Sequence, residues 1–330
     1  MYTLGIETSC DETSASVVNN RRLLSCVTFS SLNEHKRYGG IIPEIASRRH
    51  LSVIGRIVEQ AVSGAGIGFR DLKLVSVTQG PGLSGSLLTG VSFAKSLAYS
   101  LSLPFIGVNH LYAHLFNSFI NKGIIDFPFV GLIVSGGHSE IYLVKDFDRI
   151  DTLASTRDDA AGEALDKVGR FYGVGFPGGP AIDRLFNERI VNENLFRMKR
   201  LKGLGFSFSG IKTKAVYLYK QLVEKKALSS SKRTEILSSF QYAVVDSLIY
   251  NLTESLKKTK IKKAVLGGGV AANSLLRRRV LALRRKGVSV RVPPLRFCQD
   301  NAAGTAGLGE YLYKKGYSSG FDIPVLCRVN

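Results

Sequence analysis

His110 and His114 stand four residues apart in Asn109-His110-Leu111-Tyr112-Ala113-His114, in a chain with only five histidines to place. On a helix that spacing puts both imidazoles on one face, where they can chelate a divalent transition metal if a third ligand arrives from elsewhere. Two core or capping histidines would be spaced alike, so the third ligand decides. Asp300, in Phe297-Cys298-Gln299-Asp300-Asn301, is a candidate. Its competing role is to cap the helix that the sequence predicts from Ala302. Position 111 is Leu, so the His-Glu-x-x-His base of a zinc peptidase is absent.

Asp11 and Glu12 form a second acidic group, in a polar turn after the apolar run Tyr2 to Ile6. Paired carboxylates there can position a cation or a water beside a phosphate, and would equally suit a solvated turn. Three glycine-rich segments are expected in turns: Ser135-Gly136-Gly137-His138, Gly178-Gly179-Pro180 and Gly267-Gly268-Gly269. Their bare amides can approach an anion, and a helix starting near Asn273 would add its positive end. None is a P-loop, since no Gly-Lys-Ser/Thr follows. Asp158, Asp159, Glu163, Asp166 and Lys167 read as a polar helix start, mostly surface and capping charges. Asp166, and Asp183 after the second glycine segment, could instead accept hydrogen bonds from ribose or substrate hydroxyls.

The elements that must position these groups alternate. Leu74 to Thr78, Phe105 to Val108, Val130 to Val134, Ala264 to Leu266 and Val288 to Val292 read as strands. Helices are predicted from Pro43 to Gly64, over Leu87 to Ala98 and over Thr234 to Lys257. This alternation predicts an α/β fold. A weak repeat refines it: Leu4 to Val18 and Gly131 to Val144 each read as strand, polar turn and strand, which points to two similar lobes. The halves are expected to meet near residues 120 to 130.

Lys and Arg exceed Asp and Glu by 45 to 26, and the resulting +19 calls for a polyanionic partner, nucleic acid first. Basic clusters lie at Arg197 to Lys202, Lys257 to Lys263 and Arg277 to Lys286. The four cysteines show no Cys-x-x-Cys spacing, which argues against a disulfide framework or a zinc ribbon and fits a reducing cytosol. No signal-peptide pattern or eighteen-residue apolar run is found, so no membrane association is expected.

Several segments together carry a family resemblance: Gly5-Ile6-Glu7-Thr8-Ser9-Cys10-Asp11-Glu12-Thr13, Gly39-Gly40-Ile41-Ile42-Pro43-Glu44, His110 to His114, Ser135 to His138, Phe206 to Thr213, Gly267 to Asn273 and Asp300-Asn301-Ala302-Ala303. The chain resembles the TsaD family, formerly called O-sialoglycoprotein endopeptidase, in its bacterial and organellar branch. The resemblance implies an actin-like, Hsp70-like and sugar-kinase-like fold of two lobes around a nucleotide cleft. The lobes would be residues 1–125 and 126–330, with a helical insertion at about 185–260 and the last helix returning to the first lobe.

It further implies transfer of threonylcarbamoyl from threonylcarbamoyl-adenylate to N6 of the adenosine 3′ of the anticodon, in tRNAs reading codons that begin with A. His110, His114 and Asp300 would bind one iron or zinc ion. Ile133, Val134, Ser135, Gly136, Gly137, Asp166, Gly179, Asp183 and Asn273 would line the site for the adenylate, or for ATP or ADP with Mg²⁺. Asp11 and Glu12 match acidic residues associated with nucleotide turnover. Implied partners are tRNA, a TsaB-like paralogue, a TsaE-like ATPase and a TsaC/Sua-type synthase that supplies the adenylate, all in the cytoplasm. One departure stands out: Tyr112 and Ala113 replace the Glu-Gly that bacterial members usually carry between the histidines. The rival readings are a metallopeptidase and an ATPase or small-molecule kinase of the same fold.

Overall fold

The computed structural model describes residues 1–123, 126–198 and 201–328. The first part of the chain forms β1 (Tyr2–Glu7), β2 (Glu12–Asn19), β3 (Arg22–Ser30), α1 (Leu32–His35), α2 (Pro43–Gly64), β4 (Leu74–Gly80), α3 (Ser84–Ser100), β5 (Phe105–Asn109) and α4 (His110–Phe116). There follow β6 (Phe129–Val134), β7 (Ser139–Asp146), β8 (Arg149–Ser155), α5 (Ala161–Phe171), α6 (Gly178–Leu185), α7 (Ser209–Glu224), α8 (Ser230–Thr259), β9 (Lys263–Gly267), α9 (Ser274–Ala282), β10 (Ser289–Arg291) and α10 (Ala302–Lys314).

Two compact units result. One holds Met1–Asp126 together with Pro293–Asn330, the other Phe127–Val292. The expected lobe boundary at residue 125 lies outside the described residues, as do Lys199 and Arg200 of the first basic cluster. Each unit carries a five-stranded mixed sheet, ordered β3-β2-β1-β4-β5 in one and β8-β7-β6-β9-β10 in the other. In each, the first three strands in sequence run antiparallel and the last two join in parallel. The strand-turn-strand repeat read from Leu4 and Gly131 is therefore β1–β2 and β6–β7, occupying equivalent places in two copies of one topology.

The central strands are buried on both faces because helices cover them. Leu4, Ile6, Val17, Val75 and Val77 meet Ile54 and Ile57 of α2 and Val91 of α3 in the first core. On the opposite face of β1, α10 approaches closely enough that a Cβ at Gly5 would stand 2.5 Å from the Ala306 amide nitrogen. Glycine at 5 and small residues along Ala302-Ala303-Gly304-Thr305-Ala306-Gly307 are what permit that approach.

Two expectations need correction. Gly178-Gly179-Pro180 opens α6 rather than sitting in a loop after a strand; it follows α5, and the backbone folds into helix because Gly178 packs against the Asp166 backbone. The strand at Val288 to Val292 shortens to Ser289–Arg291, as β10 is an edge strand paired only with β9.

Candidate functional site

Asn109 ends β5 and caps α4, its side-chain oxygen accepting from the amides of Leu111 at 2.8 Å and Tyr112 at 3.3 Å. The cap fixes His110 as the first helical residue, and the four-residue spacing brings His114 onto the same face with ring centroids 4.5 Å apart. Both rings are buried. Asp300 completes the group: its Oδ1 lies 3.1 Å from His114 Nε2 and 3.8 Å from His110 Nε2. The cap of α10 is Asn301, whose side chain accepts from Ala303 N at 3.1 Å, so the capping role belongs to the next residue and not to Asp300. Asp300 reaches the histidines because α10 also lies close to α4, where a Cβ at Gly304 would stand 2.2 Å from the Ala113 carbonyl oxygen.

One ligand atom from each of His110, His114 and Asp300 falls within 4.8 Å of the others. His114 Nε2 is buried and makes no hydrogen bond although Asp300 Oδ1 is 3.1 Å away. Close contact without hydrogen-bond alignment is what ligands directed at a common third point produce, and an unsatisfied buried nitrogen is otherwise costly. Two imidazole nitrogens and one carboxylate oxygen suit a divalent transition metal.

Glu7 was not singled out from the sequence, yet it organises this centre. It ends β1 at 1% exposure, and its oxygens accept from Ser9 N at 2.6 Å and Thr78 Oγ1 at 2.5 Å. Oε2 also stands 3.1 Å from His110 Nδ1. Burial alone would lower the His110 pKa, but Glu7 and Asp300 outweigh it and raise it to about 9. Burial likewise opposes the Glu7 charge, and His110 overcomes it, holding that carboxyl below the usual range. The signal in the sequence was a single acid closing the apolar run Tyr2 to Ile6.

The turn carrying Asp11 and Glu12 is not a solvated one. Asp11 is 6% exposed, and burial raises the pKa of both acids, with the charges of Asp300 and Asp11 pushing Glu12 further. Three successive carbonyls of the turn are tied. Leu83 N donates to Ser9 O at 2.8 Å, His50 Nε2 to Cys10 O at 3.0 Å and Ser31 Oγ to Asp11 O at 2.9 Å. His50 Nε2 therefore carries a proton, and burial lowers the pKa of the ring, favouring the neutral form in which Nδ1 accepts from Thr13 Oγ1 at 2.8 Å. His35 and His50 went unremarked in the sequence because nothing in their spacing separates a latch from a surface residue.

In the second unit the glycine turns converge by packing. A Cβ at Gly162 would stand 2.5 Å from Ser135 O, and one at Gly268 2.4 Å from Val134 O. Ser135 N donates to His138 O at 2.8 Å, closing the turn, while Gly136 and Gly137 are exposed and a Cβ added at either would meet nothing within 4 Å. Ile133 and Val134 are fully buried in β6, so only their backbone faces that turn. Gly179 N donates to Asp166 Oδ1 at 2.8 Å. Asp183 accepts from Ser274 N at 3.0 Å and from Gln241 Nε2 at 2.8 Å, and Asn273 caps α9 by accepting from Leu276 N at 2.9 Å. Asp158 accepts from Phe208 N at 2.8 Å and Ser209 N at 3.3 Å, so it serves the start of α7 and not that of α5, the helix its own segment opens.

A family model described as TsaD, tRNA N6-adenosine threonylcarbamoyltransferase, matches residues 22–307. The tRNA N6-adenosine threonylcarbamoyltransferase of Thermosipho africanus is 46% identical over 324 residues, spanning 97% of this chain and 96% of its own. That of Thermodesulfovibrio yellowstonii is 46% identical over 318 residues, spanning 96% of each. Among solved structures, phosphate- and nucleotide-bound HypF superposes with a TM-score of 0.60 at 17% identity, covering 95% of this chain and 46% of HypF. The ADPNP-bound activator of the 2-hydroxyisocaproyl-CoA dehydratase from Clostridium difficile gives 0.52 at 16% identity, covering 96% and 97%. Such identities establish the fold alone, an actin-like α/β fold of two units. No helix among the described residues is long and apolar enough to cross a membrane. The peptidase and kinase readings are not favoured, and the chain belongs to the TsaD family of tRNA N6-adenosine threonylcarbamoyltransferases.

Proposed function

We propose that this chain moves threonylcarbamoyl from threonylcarbamoyl-adenylate to N6 of the adenosine 3′ of the anticodon, in tRNAs reading codons that begin with A. The observation that carries the reading is the buried His110, His114 and Asp300 group, with an unsatisfied imidazole nitrogen, in a chain of this family. Those three residues would hold one Fe²⁺ or Zn²⁺ ion. When bound, such an ion supplies a Lewis acid that can orient and polarise a carbonyl oxygen.

The chain's own residues do the rest. Glu7 keeps the His110 ring oriented through Nδ1. The exposed amides of Gly136 and Gly137, the start of α9 at Asn273, and Ser135, Asp166, Gly179 and Asp183 around them bind the adenylate, or ATP or ADP with Mg²⁺. The open space at Gly136 and Gly137 supports this role. Ile133 and Val134 contribute backbone only. The N6 nitrogen forms a bond to the carbamoyl carbon, the bond from that carbon to the phosphate oxygen breaks, and AMP leaves with the electron pair. The proton that N6 loses passes to solvent water, and Asp11 and Glu12, whose buried carboxyls hold protons more tightly than usual, are candidate residues for nucleotide turnover. Positioning and charge stabilisation account for the acceleration, with no covalent enzyme intermediate.

We place the reaction in the cytoplasm, consistent with four free cysteines. A TsaB-like paralogue, a TsaE-like ATPase and a TsaC/Sua-type synthase would act with the chain. The test incubates it with unmodified tRNA, threonine, bicarbonate, ATP and the synthase, with and without the other two proteins. His110→Ala and His114→Ala should lose bound metal and transfer together; a metal-free variant that transfers at the wild-type rate sinks the assignment.

A further inference from the structure

Several basic residues are engaged by partners within the protein. In the Arg277 to Lys286 cluster, Arg278 pairs with Glu188 at 2.8 Å, Arg279 with Asp246 at 3.2 Å, and Arg284 donates to Val290 O at 2.9 Å. Lys257 pairs with Glu254 at 2.8 Å. Lys36, Arg37 and Tyr38 are arranged differently. All three are exposed, Tyr38 at 49%, and the Arg37 guanidinium lies 4.8 Å from the centre of the Tyr38 ring. Among the described residues no carboxylate is within ion-pair distance of Arg37 or Lys36; Lys36 Nζ meets only the neutral Asn33 Oδ1 at 2.8 Å.

This patch is rigidly mounted and tied to the acidic turn. Buried His35, next to Lys36, accepts from Ile42 N at 3.2 Å through Nδ1 and meets Ser31 Oγ at 3.1 Å through Nε2. Ser31 Oγ in turn donates to the Asp11 carbonyl at 2.9 Å. Glu34 and Arg49 join α1 to α2 at 2.6 and 2.8 Å. Gly39, in the left-handed region at φ 68°, ends the short helix and lets the chain turn away. The segment that carries the ring and the guanidinium is thus tied down next to His35, the imidazole that braces Asp11.

An exposed aromatic with a stacked guanidinium and exposed cations is the equipment for unpaired RNA, whose bases expose their faces for stacking while phosphates meet the charge. Duplex RNA offers no such faces. We propose that Tyr38 and Arg37 form a stacking platform for an unpaired base of the tRNA anticodon loop, with Lys36 and Arg37 meeting neighbouring phosphates. The inference rests on the reading that this chain acts on tRNA, and adds which surface receives the loop.

The test measures binding of the full chain to unmodified tRNA, to its anticodon stem-loop, and to a duplex of the same stem without the loop. Tyr38→Ala should weaken stem-loop binding by about five- to a hundred-fold, the range for loss of one base-aromatic stack, and leave duplex binding as it was. Tyr38→Phe should bind near the wild-type level. Arg37→Ala should weaken binding and reduce the salt slope by about one. Metal content and unfolding midpoint should match wild type in all three. Wild-type affinity of Tyr38→Ala for the stem-loop, or equal losses on stem-loop and duplex, overturns the platform. Wild-type transfer to tRNA, scored in parallel, separates the claims: with transfer intact and Tyr38→Ala binding normally, the platform alone falls.

Discussion

Glu7 Oε2 stands 3.1 Å from His110 Nδ1, on the ring edge opposite the one that faces Asp300. The imidazole therefore meets a carboxylate at each nitrogen, one behind it and one beside the candidate ion. Glu7 is held in turn by Ser9 N and Thr78 Oγ1, so the orientation of the ring is set by backbone and strand, not by the ring itself.

Replacing Glu7 by Gln keeps the volume and an acceptor for Ser9 N while removing the charge behind His110. Metal affinity should fall by about 10- to 100-fold, the usual consequence of losing such an outer carboxylate. Competition against a metal-sensitive dye measures it. Native affinity in the Gln variant would reduce Glu7 to a local anchor for the β1–β2 turn.

Asp300 and Asn301 can be separated by paired substitutions, because ligand and cap are adjacent residues. Asn301→Ala should cost about 0.5–2 kcal/mol in urea unfolding through loss of the α10 cap, with the ligands still present. Asp300→Asn should keep the stability of α10 and lose the ion. If the two variants exchange these effects, the division of labour at the start of α10 is wrong.

The candidate metal ligands are legible where spacing constrains them: His110 and His114 need only a helix to converge, and α4 supplies it. Asp300 was legible as a candidate but not as a ligand, since nothing local says that α10 folds back against α4 and β1. Glu7 and His50 were missed for the same reason. Each acts through a partner more than thirty residues away, His110 for one and Cys10 for the other, and only the sheet order creates those contacts. In the second unit the glycine segments were visible, but Gly178 belongs to a helix start, because helix-on-helix packing demands a missing Cβ as strongly as a turn does.

Asp159 gives a pH dependence. Burial would raise its pKa, but hydrogen bonds from Lys212, from Ser209 at 2.9 Å and from Lys167 at 3.1 Å hold the carboxyl below its usual value of 3.8. A folded-state pKa below the unfolded one means the stabilisation is complete above about pH 3.8 and is lost as pH falls through the lower, folded value. Asp159→Asn should therefore be less stable than wild type at pH 7, and the gap should close on acidification below that point. Thermal unfolding of both proteins from pH 7 to pH 3 decides, and a gap that widens in acid contradicts the clamp.

Gly5→Ala tests whether the approach of α10 to β1 is what delivers Asp300. The added methyl would sit 2.5 Å from Ala306 N and 2.6 Å from Ala302 O, backbone atoms that can yield only if the whole helix shifts. Overpacking of this kind costs about 1–3 kcal/mol. Asp300 lies two residues before Ala302, so the shift should also weaken metal binding, although Gly5 touches no ligand. Gly40→Ala is the control, since nothing lies within 4 Å of a Cβ there, and it should leave both stability and metal affinity unchanged. Urea unfolding and metal titration on the two variants read both effects. Lost stability with native metal affinity would mean that Asp300 is placed by its contacts with α4 alone, and the route through β1 would have to be abandoned.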